Sequence, residues 1–182
     1  MGMAVKLPQF TIEDLDRFPD DGNRYEILDG TLLVTPAPSF GHQLIASRIQ
    51  GILIAALQVP GQANVLGPGA IAVPPRTQLQ PDILVVPARF GPRVDWAKVT
   101  EHWLAVEVLS RSSRVYDREV KRGAYFALGV RQLWLVDARD RSIDVWRSPR
   151  LHRVEREMVR WRAPGVHRVL TLDLAEVFAG FD

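Results

Sequence analysis

Leu104-Ala105-Val106-Glu107-Val108-Leu109 sets one carboxylate among five apolar residues, with no alternation of polar and apolar positions. A run of this kind reads as a strand covered on both faces of a sheet. An ionised Glu in such a strand costs several kcal/mol unless a positive charge meets it. Two solutions exist: a neighbouring side chain supplies the charge, or a metal ion does.

The rest of the chain supplies elements for a sheet to hold. Residues 1–9 form a loose lead-in, and Thr11 caps a short helix through about Phe18 with Glu13 and Asp14 in its first turn. Asp29-Gly30 between Arg24–Leu28 and Thr31–Thr35 predicts a hairpin, with Glu26 on the same face as Leu28. After Pro36 and Pro38, Ser39 caps a helix whose apolar spacing runs to about Leu57; His42 lies in its first turn, facing solvent or a site. Short strands follow near Asn64–Leu66 and Ala70–Val73, then a buried strand after Pro81-Asp82 and a long polar loop over 87–101. Beyond the Glu107 strand, the spacing predicts an amphipathic helix from Asp117 to Leu128 with Gly129 as its C-cap. A strand at Gln132–Val136 pairs with Ser142–Arg147, residues 148–168 give edge strands, and a short helix near Leu174–Phe178 closes the chain. The expected architecture is one α/β (α+β) domain over 1–182, a mixed central sheet flanked by helices.

Composition removes several classes of function. With no cysteine, disulfides, zinc–thiolate sites and thiol catalysis are excluded. No apolar run approaches the roughly 20 residues of a membrane helix, and no signal-peptide pattern opens the chain, so a cytoplasmic protein away from membranes is expected. A net charge of +2 is too small to argue for nucleic acid by itself. Of 23 basic residues 20 are Arg, which marks out the three lysines Lys6, Lys98 and Lys121.

Asp82 at the mouth of one buried strand, Glu107 inside a second and Lys121 on the following helix stand out. If the two strands are neighbours, both carboxylates converge at one edge of the sheet. Two such oxygen ligands, with waters and a phosphate oxygen, suit Mg²⁺ or Mn²⁺. Such an ion can activate a water against a phosphodiester, and Lys121 can steady the charge that develops. Simpler readings stand beside this: Asp82 as a turn residue, Lys121 as a solvated helix lysine, Glu107 in a structural ion pair. Arg111, Arg114, Arg118 and Arg122 crowd the next segment, either as phosphate contacts or as a solvated basic face. The five tryptophans lack the spacing of a base-stacking platform and belong to core or interface.

Pro81-Asp82 followed by Glu107-Val108-Leu109 resembles the PD-(D/E)XK motif of restriction-endonuclease-like nucleases. More closely, the chain resembles the Uma-type restriction endonuclease family. The resemblance runs through Arg24-Tyr25-Glu26-Ile27-Leu28-Asp29-Gly30, His42, Pro81-Asp82-Ile83, Val106 to Ser110, Asp117 to Lys121, Tyr125, Gly129-Val130 and Leu133 to Asp137. It covers about residues 10–150. Leu109 stands where the superfamily motif has its lysine, and Lys121 matches the helix position that supplies it in this family. The resemblance implies a restriction-endonuclease-like core, metal ligands Asp82 and Glu107, catalytic Lys121 and an additional acid, Glu26. For Glu26, a hairpin ion pair with Arg24 or a solvated carboxylate is the competing role; for His42, a polar helix-end residue competes with a phosphate contact.

The expected function is a Mg²⁺- or Mn²⁺-dependent DNA endonuclease, with a homodimer supplying the two active sites that a double-strand cut needs. The alternatives are a non-catalytic nucleic-acid-binding or assembly domain on the same fold, and hydrolysis of RNA or another phosphodiester.

Overall fold

The computed structural model describes residues 9–110 and 117–181, without the side chains of 117 and 118. Thr11 caps a 3₁₀ helix over Ile12–Arg17. Its main-chain N–H donates to Asp14 Oδ2 at 2.8 Å, which ties the first turn closed. β1 (Arg24–Leu28) and β2 (Thr31–Thr35) form the expected hairpin. Asp29 and Gly30 adopt φ of 48° and 80°, the pair of positive angles that a type I′ turn requires. α1 (Phe40–Leu53) starts at Ser39, whose Oγ accepts the His42 main-chain N–H at 3.3 Å. Wider π-type turns carry it on over Ile54–Gln58.

Among the described residues the strands sort into the expected mixed central sheet and two smaller sheets that the sequence did not separate from it. β3 (Ala63–Leu66), β6 (Ile83–Pro87), β7 (Leu104–Val108), β8 (Leu133–Asp137), β9 (Ser142–Ser148) and β10 (Leu151–Glu155) form a six-stranded sheet in the order β10-β9-β8-β7-β6-β3. It is mixed, because β7 and β8 run parallel while its other pairs are antiparallel. The β1–β2 hairpin joins β4 (Ile71–Val73) and β5 (Thr77–Leu79) in a four-stranded antiparallel sheet. β11 (Met158–Trp161) and β12 (Leu170–Asp173) pair separately. Antiparallel neighbours need only tight turns, whereas the parallel β7–β8 pair needs a crossover. That crossover carries π-type turns over Asp117–Lys121, then α2 (Arg122–Ala127). Gly129 follows with φ of 83°, the left-handed C-cap expected of it. α3 (Leu174–Val177) comes last.

All five residues of β6, β7 and β8 are buried. Leu104, Val106 and Val108 pack on one side with Ile45, Ile49 and Leu53 of α1. Ala105 and Leu109 pack on the other with Ile71, Leu79 and Tyr125. Glu107 is in phase with that second set, so it faces the smaller sheet and the crossover helix. Trp103, Trp134, Trp146 and Trp161 are buried, as core tryptophans should be.

Gly69, in the segment leading to β4, packs against β6 so closely that an added Cβ would sit 2.5 Å from Leu84 Cβ. At Gly123, inside α2, an added Cβ meets nothing within 4 Å. Gly69→Ala should therefore lower stability by about 1–3 kcal/mol through overpacking. Gly123→Ala should raise it by about 0.5–1 kcal/mol through helix propensity. Urea midpoints of the two variants, moving in opposite directions from the parent, check both.

Candidate active site

Asp82 lies immediately before β6, and Glu107 lies in β7. The two strands pair Ile83 with Val106, Leu84 with Ala105 and Val85 with Leu104. Carried one residue further, this register sets Asp82 opposite Glu107, and opposed residues of an antiparallel pair share a face. The Val108 main-chain N–H donates to Asp82 Oδ2 at 2.8 Å, tying the aspartate to the strand of the glutamate. Both carboxyl groups line one cavity of about 450 Å³, together with Arg24, His42, Ser110, Lys121 and Arg139.

The smaller sheet contributes two groups from one face of β1. Arg24 Nη2 donates to Asp82 Oδ1 at 2.7 Å, and its Nη1 donates to the Gln80 carbonyl at 2.9 Å. Two residues on, Glu26 is completely buried, and its Oε1 accepts the Gln80 main-chain N–H at 2.7 Å. The segment leading into β6 is thus strapped to β1 from both sides of Gln80. Glu26 does not form a hairpin ion pair with Arg24, nor is it solvated. Its Oε2 accepts from Lys121 Nζ at 2.6 Å.

Lys121 sits at the end of the π-type turns, its side chain only 4% exposed. The same ammonium reaches Glu107 Oε1 at 3.3 Å, so it bridges carboxyl groups from two sheets. One helical turn later, Tyr125 donates its hydroxyl to Glu107 Oε1. His42 faces the site and not solvent: its Nε2 is 3.0 Å from Asp82 Oδ2. Position and partner were both open in the sequence, and the turn of α1 after Ser39 settles them.

Electrostatics follow from this packing. Burial pushes the Asp82 carboxyl upward, but the His42 hydrogen bond, the Arg24 charge and the Val108 amide outweigh it and hold the group below the usual carboxylate range. Burial pushes the Tyr125 hydroxyl well up, and the charges of Glu107 and Glu26 push the same way, so it stays a donor. Burial disfavours the Arg24 charge, yet Asp82, Glu107 and Glu26 together make its guanidinium harder to deprotonate than an ordinary arginine.

The structure therefore brings Asp82, Glu107, Lys121, Glu26 and His42 together. Arg122 is not among the residues lining the cavity; its guanidinium lies 4.3 Å over the Trp146 ring. Arg111, Arg114 and the Arg118 side chain lie outside the described residues. Three residues of the network escaped the sequence reading as site groups: Arg24, Tyr125 and Gln80. The period-2 spacing of Arg24 and Glu26, and the four-residue spacing of Lys121 and Tyr125, carry the signal for the first two.

Among the described residues no group of three or more His, Cys, Asp or Glu is arranged to hold a metal. The donor set that is present, two carboxyl groups facing one cavity, nonetheless fits Mg²⁺ or Mn²⁺. Mg²⁺ is ordinarily held by one or two carboxylates plus waters and substrate phosphates, not by an all-protein cage.

A family model described as "Putative restriction endonuclease" matches residues 12–175. The chain belongs to this family, Uma2. The Uma2 fold seen here is shared with a crystal structure from Anabaena variabilis ATCC 29413, described as a putative nuclease belonging to DUF820. The two superpose with a TM-score of 0.77 over 95% of this chain and 99% of that one, at 17% sequence identity. No curated protein matches the sequence. Among the described residues, no helix is long and apolar enough to cross a membrane.

Removing the shared cation should be the costliest single change in this network. Lys121→Met leaves two buried carboxyl groups facing each other and should destabilise the protein by about 3–5 kcal/mol. Glu26→Gln added to Lys121→Met should recover part of that loss, since residues in one ion-pair network are not additive. Chemical denaturation of the two singles and the double measures the coupling; strict additivity would mean that the pair makes no mutual contribution.

Proposed function

We propose that this Uma2 protein is a metal-dependent endonuclease that hydrolyses phosphodiester bonds in DNA. The observation that carries the reading is the convergence of Asp82 and Glu107, on adjacent antiparallel strands, at one cavity wall with Lys121 bonded to Glu107. Asp82 and Glu107 would hold Mg²⁺ or Mn²⁺. Such an ion, when bound, lowers the pKa of a water and neutralises phosphate charge.

The chain's own residues then have separable tasks. The Lys121 ammonium lies beside the carboxylate ligand and favours negative charge developing in the cavity. Glu26 and Tyr125 hold that ammonium and Glu107 in fixed positions. His42 and the Val108 amide fix the orientation of Asp82. Arg139, which lines the cavity, would meet a phosphate oxygen. A homodimer would supply the two such sites that cutting both strands requires.

A second reading has an observation of its own. Glu107 is met by Lys121 and Tyr125, and Asp82 by Arg24 and His42, so side chains alone can offset the buried acids. A nucleic-acid-binding domain that keeps the nuclease fold without catalysis would have such a site. It would retain DNA in a salt-dependent manner, with no metal dependence and no cleavage.

Calorimetric titration with Mg²⁺ and Mn²⁺ and nicking of supercoiled plasmid separate the two. The endonuclease reading expects metal-dependent nicking that falls at least about a hundredfold in Glu107→Gln, equivalent to about 2.7 kcal/mol of barrier, with the thermal midpoint little changed. Nicking that survives in highly purified Glu107→Gln protein would remove Glu107 from the catalytic role.

A further inference from the structure

Both oxygens of Asp82 are engaged. Oδ1 accepts from Arg24 Nη2 at 2.7 Å, while Oδ2 accepts the Val108 amide at 2.8 Å and lies 3.0 Å from His42 Nε2. A divalent ion that takes Asp82 as a ligand must therefore displace a donor or crowd against one. The three donors are not equivalent. The Val108 amide is fixed in the main chain at the end of β7, and the His42 ring is carried on the first turn of α1. The guanidinium ends a long flexible side chain, is the more exposed of the two side-chain donors (19% against 12% for His42), and has one other anchor, the Gln80 carbonyl. Its charge also repels an incoming cation, as a neutral amide does not.

We propose that Arg24 is an exchangeable counter-ion of Asp82, bound to the carboxylate in the metal-free protein, displaced from Oδ1 by a divalent cation, and then available to hold a substrate phosphate in the same cavity. This rests on the metal-dependent reading of the cavity given above. His42 and the Val108 amide keep Oδ2 oriented while Oδ1 changes partner. The displaced guanidinium stays at the cavity, which Arg24 already lines, and its planar fork matches phosphate oxygens bidentately. Arg24 then has opposite effects on the two ligands. It lowers metal affinity, because only the fraction of molecules with Asp82 released can bind. It raises nucleic-acid affinity, but only once a metal has freed it, so the two bindings are positively coupled.

The opposite signs make the test specific, because a merely structural arginine would not produce them. In calorimetry with Mg²⁺ alone, Arg24→Gln should bind about tenfold more tightly than the parent, or better. With Ca²⁺ as an oxygen-seeking ion, duplex DNA affinity should fall about fivefold or more in Arg24→Gln; without a divalent ion the variant should show no such loss. In the unmutated protein with ¹⁵N-labelled arginine, the Arg24 guanidinium resonance should move as Mg²⁺ is added, a readout that does not depend on a variant's folding. Mg²⁺ affinity that is unchanged or weaker in Arg24→Gln, or an Arg24 resonance that stays put while Mg²⁺ binds, overturns the exchange and leaves the nuclease reading intact. Failure of both proteins to bind Mg²⁺ or Mn²⁺ overturns the nuclease reading and the exchange together.

Discussion

One ammonium group holds this structure together where its layers meet. Lys121 Nζ lies between Glu26 of the four-stranded sheet and Glu107 of the six-stranded sheet, and it comes from the crossover that joins β7 to β8. Three elements distant in sequence thus share one charge. Ion pairs withdrawn from water gain little over a well-packed apolar substitute, but losing one partner leaves an uncompensated buried charge. The network is accordingly a poor device for stability alone. It is a good device for fixing the position of two acids to within a hydrogen bond.

The geometry around it follows from sheet physics. Antiparallel register puts Asp82 opposite Glu107, and period-2 alternation sets both on the face opposite the one that packs on the apolar stripe of α1. The same alternation in β1 sends Arg24 and Glu26 to that cavity together. A one-residue slip in either pairing would turn a carboxyl group to the opposite face. The Glu26–Gln80 and Arg24–Gln80 bonds therefore do more than satisfy polar atoms: they lock the lead-in to β6 against β1.

Much of this was legible in the sequence, for local reasons. Asp29-Gly30 announces its hairpin because both residues tolerate positive φ. The spacing of Ile45, Ile49 and Leu53 marks the buried stripe of α1, and uninterrupted apolar runs mark β6, β7 and β8. Asp82, Glu107 and Lys121 stood out because an acid in or beside such runs needs a partner. What stayed hidden was non-local. β5 is three residues long, and its pairing with β1 is decided by tertiary contact, so the division into two larger sheets left no local trace. The Arg24–Asp82 bond spans 58 residues and the Lys121–Glu26 bond 95, beyond the reach of any periodicity. Arg122 looked like one more cation beside the site, yet a nearby indole claims it.

The buried acids pose the question with which the sequence begins: whether side chains or a metal ion make them tolerable. In this structure side chains do so, through Lys121, Tyr125, Arg24 and His42, and the donor set that they hold in place suits a hard divalent cation as well. Crystals grown with Mn²⁺ and measured at its absorption edge address this directly. The account predicts an anomalous peak at coordination distance, about 2.0–2.3 Å, from oxygens of both Asp82 and Glu107. A fully soaked crystal with no peak there, and with Arg24 and Lys121 still seated on the two carboxylates, would contradict it.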